Sequence, residues 1–206
     1  MASFSILTVC SGNVCRSPFA EQLLRNGLKP WPEVTVSSAG TVGLTGQPMP
    51  EQAAALSRRY GGDPSEHIAR ELSAQHIADA DLVFAMSREH RRAIVELVPR
   101  AIRYTFTIRE FARLVSDVTD VDLDELVELH PVDMHTDETT ARFHALVELA
   151  ASQRGAVAPP ESPVDDDVVD PYRQSDDVYD ESARQLVPAV DTIVSLFQRT
   201  ATVRAR

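Results

Sequence analysis

Cysteine is scarce in this chain of 206 residues: there are two, Cys10 and Cys15, both near the start. Their C-x4-C spacing has no second pair downstream, which argues against a closed zinc site, and it is not the C-x-x-C of a thioredoxin-like protein. Histidine does not fill the gap. His76, His90, His130, His135 and His144 match no ligand spacing with cysteine or with one another, and none is given a role. Apolar runs of membrane-spanning length are missing, and Met1-Ala2-Ser3 leads into the first apolar segment without a signal sequence. A free cysteine pair that must stay reduced suits the cytoplasm, which is the expected location. Excess positive charge is missing as well. The formal net charge of −11 argues against nucleic acid as a partner. No internal repeat is visible. What remains, with 43% hydrophobic residues, can bury one good core.

The most informative stretch is Val9-Cys10-Ser11-Gly12-Asn13-Val14-Cys15-Arg16-Ser17-Pro18. Before it, Phe4-Ser5-Ile6-Leu7-Thr8-Val9 reads as a buried strand. After it, Ser17-Pro18 reads as an N-cap followed by proline at the first helical position, opening Phe19-Ala20-Glu21-Gln22-Leu23-Leu24. A loop between a strand and a helix N-terminus gathers free backbone N–H groups and the positive end of the helix dipole. Cys10 at its head adds a nucleophile, and electropositive surroundings favour the thiolate. Arg16 at its end adds a planar fork that matches two phosphate oxygens. These residue types in this order imply phosphoryl transfer to sulfur.

The acidity is local. Residues 107–170 hold sixteen Asp and Glu against four Arg, which leaves the rest of the chain close to neutral. Outside that segment strands and helices alternate. Strands are expected at 3–9, 33–38, 81–86 and 102–106, and helices at 17–28, 50–60, 73–79 and 87–98. That is the pattern of an α/β fold: a four-stranded parallel sheet with helices on both faces, and Cys10 at its carboxyl edge beside a switch point. Within the acidic segment, residues 107–115, Leu123, Leu126 and Val127, then Phe143, Leu146, Val147 and Leu149 repeat helical spacing. Two or three insert helices packed on the core, with a flexible return through Ala158-Pro159-Pro160, are expected at about 107–167 of a single domain spanning 1–206.

The loop motif, so early in the chain, resembles that of the low-molecular-weight protein-tyrosine phosphatases, V-C-x-G-N-x-C-R-S-P. Ser37-Ser38-Ala39-Gly40-Thr41 is similar to the family's S-A-G-T, His67-Ile68-Ala69-Arg70 to its H-x-A-R, and Asp81-Leu82-Val83-Phe84-Ala85-Met86 to its third strand. Asp170-Pro171-Tyr172 is similar to the D-P-Y loop that supplies a general acid, in a form nearer the bacterial branch. The resemblance covers most of 3–106 and 168–199; the acidic insert departs from it.

The resemblance implies a protein-tyrosine phosphatase. Cys10 would attack phosphorus while Arg16 and the loop residues Ser11, Gly12, Asn13, Val14 and Cys15 hold the phosphate oxygens. Asp170 would protonate the leaving tyrosine oxygen and then activate water. It stands out from Asp165, Asp166 and Asp167 because Pro171 stiffens its turn, and Tyr172 can wall the cleft. Ser17 would donate to the Cys10 sulfur. Asn13, tolerant of left-handed geometry, would hold the loop's turn, by resemblance through a network that includes His67. Leu44, where other members have an aromatic, is similar to bacterial members acting on autophosphorylating tyrosine kinases; a phosphotyrosine protein, such as a bacterial tyrosine kinase, is the implied partner. No metal or cofactor is needed. The alternatives are an arsenate reductase-like oxyanion enzyme and a non-catalytic phosphate-binding protein.

Overall fold

The computed structural model describes residues 3–129 and 137–203. Four strands, β1 (Phe4–Cys10), β2 (Val34–Gly40), β3 (Leu82–Ala85) and β4 (Thr105–Thr107), form one parallel sheet in the order β2-β1-β3-β4. β1 is therefore the strand from which the chain departs first to one side and later to the other. Its carboxyl end, Cys10, opens into the crevice that this reversal leaves. β4 is shorter and later than expected, because Pro99–Arg103 winds into a 3₁₀ turn before the strand begins.

Alternate strand residues face opposite layers, as the pleat requires. Leu7, Val9, Val83 and Ala85 pack with Ile77 and Ile94 beneath helices α3 (Ala74–Ala78) and α4 (Arg88–Leu97). Phe4, Ile6, Leu82, Phe84 and Met86 point the other way into the larger core, with α1 (Arg16–Gly27), α2 (Glu51–Arg59) and the C-terminal helix Asp176–Thr202. Both faces are covered, so the strands read as continuous apolar runs.

The helix after the loop starts one residue earlier than expected, at Arg16, and Ser17 is not its cap. The N-cap position is Cys15, with no side-chain cap. Ser17 instead turns its hydroxyl to the Cys10 sulfur, so the first-turn amides stay uncapped beside the loop.

The acidic segment forms three helices, α5 (Ile108–Leu114), α6 (Asp120–Leu129) and α7 (Glu138–Ser152). α5 follows β4 directly, because Thr107 and Glu110 form a capping box. Phe111, Leu123, Phe143 and Leu146 are fully buried in the larger core. The Phe143 ring lies 5.5 Å from Phe4 and 4.7 Å from Phe197 on the C-terminal helix, which we number α8. The return is not loose: Arg113 of α5 donates to the Ala158 carbonyl at 2.9 Å and pairs with Asp166 at 2.9 Å. No described helix is long and apolar enough to cross a membrane.

Candidate active site

Residues 11–15 link the end of β1 to α1, and the chain after β2 straps them from outside. The carbonyls of Cys10, Ser11 and Gly12 accept from the N–H groups of Thr41, Val42 and Leu44 at 2.9, 3.0 and 3.0 Å. The Asn13 carbonyl accepts from His67 Nε2 at 2.7 Å, which fixes the proton on that nitrogen. With its carbonyls drawn outward, the loop has its amides left for the interior of the curl. Among the described residues, none of the N–H groups of Ser11 through Cys15 has a protein acceptor. Gly40 makes the close strapping possible, since a Cβ there would sit 2.4 Å from the Ser11 carbonyl oxygen.

Asn13 adopts φ 56°, the left-handed geometry that asparagine tolerates. Its buried amide donates to Ser17 Oγ at 3.0 Å and Ser38 Oγ at 2.8 Å, and its Oδ1 accepts from the Arg70 amide at 2.9 Å. Ser38 in turn donates to Glu21 at 2.5 Å. Asn13 is thus held through its side chain by Ser17, Ser38 and Arg70 and through its carbonyl by His67. Ser17 Oγ lies 3.0 Å from Cys10 Sγ and also accepts from Asn13, so its proton goes either to sulfur or to the more distant Ala39 carbonyl at 3.5 Å.

Arg16 is almost fully buried, with 6% of its side chain exposed. Nη1 donates to the Val168 carbonyl at 3.0 Å and Nη2 to Asp170 at 2.6 Å, while buried Nε has no partner among the described residues. A buried, unpartnered guanidinium N–H is costly unless an acceptor arrives. Cys10, Arg16 and Asp170 line one cavity of about 180 Å³, whose rim is Val42, Leu44 and Tyr172. The Leu44 side chain also packs over Gly12.

Asp170 comes to the cavity because the chain before it is tethered. Val168 N–H donates to the Met86 carbonyl at 2.9 Å, Val169 N–H to Gln185 at 2.8 Å, and Arg109 of α5 to the Asp167 carbonyl at 2.8 Å. The neighbouring carboxylates are engaged elsewhere. Asp167 pairs with Arg88 at 3.1 Å, Asp166 with Arg113, and Asp165 accepts from the Ser162 amide at 3.0 Å. None of the three lines the cavity.

Two findings correct the sequence reading. His90, given no role there, is 5% exposed and bridges Ser11 Oγ and Ser87 Oγ, at 2.8 Å each. Burial, and then the charge of Arg16, pushes it down to about 4, so it is neutral near pH 7. Its signal was its place, three residues after Ser87 at the carboxyl end of β3, where α/β sites gather. His144, also given no role, pairs with Asp81 at 2.9 Å. His130 and His135 lie outside the described residues. Cys15 Sγ is 3.8 Å from the Tyr179 hydroxyl, and burial pushes its thiol up to about 12, so it stays protonated beneath the loop.

A family model described as low molecular weight phosphotyrosine protein phosphatase matches residues 5–152. The chain belongs to that family. Among curated members, Ptp of Acinetobacter johnsonii is 40% identical over 104 residues, half of this chain and 71% of that protein. Etp of Escherichia coli K12 is 41% identical over 95 residues, 46% of this chain and 62% of that one. The arginine phosphatase YwlE of Geobacillus stearothermophilus superposes with a TM-score of 0.64 at 26% identity, covering 95% of this chain and 93% of that one. The Erwinia amylovora tyrosine phosphatase AmsI, at 22% identity and TM-score 0.63, shares the fold over 94% and 93% of the two chains. The family match ends before Asp170, whose place in the site rests on the geometry above.

Proposed function

We propose that this chain hydrolyses phosphotyrosine in proteins through a phosphocysteine intermediate. The observation that carries the reading is the convergence, on one small cavity, of Cys10, the loop residues Ser11, Gly12, Val14 and Cys15 with their unpaired amides, Arg16 and Asp170. In the first step the Cys10 thiolate forms the S–P bond as the P–O bond to tyrosine breaks. The equatorial oxygens lie on the loop amides and Arg16. An entering oxyanion competes with Asp170 for Arg16 Nη2; the carboxylate, released from the guanidinium beside the phosphate, takes a proton from solvent and gives it to the tyrosine oxygen as the P–O bond breaks. In the second step Asp170 takes a proton from water, the water oxygen bonds to phosphorus, and the S–P bond breaks. Ser17, donating to the sulfur, stabilises the departing thiolate.

The apolar rim of Val42, Leu44 and Tyr172 supports a flat aryl group at the mouth. A phosphotyrosine-bearing protein is therefore the partner we propose, a bacterial tyrosine kinase among them. An arsenate reductase of this design needs further cysteines to carry a disulfide outward, and the chain has two in all. We also read residues 1–206 as one phosphatase domain, because the insert shares the larger core, and as cytoplasmic, because Cys10 must stay reduced.

The test compares wild type with Cys10→Ser, Arg16→Ala and Asp170→Asn on a phosphotyrosyl peptide, p-nitrophenyl phosphate and a phosphoarginine peptide. The first two variants lose activity on every substrate. Asp170→Asn loses on the order of 10²-fold or more on phosphotyrosine, the scale of general acid catalysis, and much less on p-nitrophenyl phosphate, whose phenolate leaves unaided. Activity in Cys10→Ser would overturn the mechanism. Faster turnover of phosphoarginine than of phosphotyrosine would overturn the substrate class.

A further inference from the structure

A cavity of about 720 Å³, larger than the catalytic one, opens at the opposite edge of the sheet. Asp81 leads from it into β3 and Tyr104 into β4, and its outer wall is α7 of the insert. Ala78, Ala80, Tyr104, Val147 and Ala151 make most of its surface apolar. Arg100 and Arg103, on the 3₁₀ turn before Tyr104, stand at its side.

These two arginines are out of keeping with the rest of the chain. Neither has a carboxylate or carbonyl partner among the described residues. Every other described arginine reaches one, except Arg173, which lies over the Tyr172 ring. In a chain of net charge −11, two unpaired cations side by side are not explained by a shortage of carboxylates. Asp81, which lines the cavity with them, accepts from the Ser5 amide at 2.8 Å, the Ser5 hydroxyl at 3.3 Å and His144 at 2.9 Å. Glu148, exposed on α7, also lines the wall.

We propose that this cavity binds a small aromatic anion: a flat apolar body against Tyr104, Val147 and Ala151, with a phosphate, sulfonate or carboxylate head on Arg100 and Arg103. Size supports this, since ligand cavities run from about 300 to 1,000 Å³ and are mostly apolar with a few convergent polar groups. Charge supports it too, because paired guanidinium forks suit a planar or tetrahedral anion better than a neutral group. The site is separate from the Cys10 cavity, with which it shares no lining residue.

The probe is 2-naphthalenesulfonate, titrated calorimetrically into the full chain with enough inorganic phosphate present to fill the Cys10 cavity. One probe binds per chain. Arg100→Ala/Arg103→Ala weakens binding at least tenfold while leaving p-nitrophenyl phosphate turnover unchanged. Glu148→Gln tightens it, by removing one of the two negative charges on the wall. Ala151→Trp, which fills the cavity, abolishes it. The uncharged 2-naphthol binds at least tenfold more weakly. No saturable binding, equal affinity in the double arginine variant, or equal affinity for 2-naphthol would each overturn the proposal. Arg100 and Arg103 are exposed, so the decisive variant does not depend on repacking the core.

Discussion

Phe143→Ala asks whether the acidic insert is part of the folded core or an appendage to it. Phe143 is fully buried on α7, with its ring edge-on to Phe4 of β1 and tilted against Phe197 of α8. The substitution removes contacts to the sheet and to the C-terminal helix together, and rigid neighbours on both sides leave little room for collapse. The expected loss is about 3–5 kcal/mol, the range for a buried phenylalanine cut to alanine. For a chain of this length each kcal/mol moves the midpoint by about 2–4 °C, so Tm should fall by about 6–20 °C. Phe143→Leu, which keeps much of the volume, should cost under about 1.5 kcal/mol. Calorimetry and urea unfolding followed by fluorescence read both variants, and p-nitrophenyl phosphate turnover at 25 °C checks that the site survives. A loss below about 1 kcal/mol in Phe143→Ala would refute the reasoning, since no well-packed aromatic of this kind costs so little. So would a transition that splits in two with the main step unmoved, because the insert would then unfold alone.

Two histidines should shape stability against pH in opposite senses. His90 is held near about 4 in the folded chain against an ordinary 6.5, so the unfolded chain binds more protons between those values and stability falls as pH drops through that window. His90→Gln should flatten this limb in urea midpoints measured from pH 4 to 7. The His144 bond to Asp81 raises its pKa, so its contribution is present below 6.5 and lost as pH rises through the folded value. His144→Gln should remove that loss, which the same midpoints carried to pH 9 would detect. Asn13→Ala should lose the bonds to Ser17, Ser38 and the Arg70 amide and also strain the left-handed turn, whereas Asn13→Gly loses only the bonds. The glycine variant should therefore be the more stable by about 1 kcal/mol in urea unfolding, and equal stabilities would show that the turn itself carries no strain.

The meeting of Cys10 and Arg16 was legible because the motif is local: they are brought together by one strand, one loop and one helix start. Asp170 was legible at long range because Pro171 and Tyr172 mark the turn chemically. Ser17 misled for a specific reason. Serine before proline is a strong cap signal, yet here the hydroxyl lies against the Cys10 sulfur and the helix start has no side-chain cap. His90 left only the trace of its place after β3, since its partner Ser11 lies 79 residues away and the pairing of β1 with β3 sets them side by side. The order of the return through residues 156–167 was hidden likewise. Its prolines and small residues read as a loose loop, while the arginines that fasten it come from α4 and α5.

The outward strapping of the loop carbonyls bears on what the catalytic cavity can refuse. A loop held by Thr41, Val42 and Leu44, and backed by a glycine with no space for a side chain, is assembled during folding and has little freedom left when a ligand arrives. Ordering costs are then small for any tetrahedral dianion of matching size, and free phosphate meets the same amides as phosphate on a protein. If the cavity works as proposed, the product competes with the substrate, and preference comes from what the phosphate is attached to, at the mouth lined by Val42, Leu44 and Tyr172.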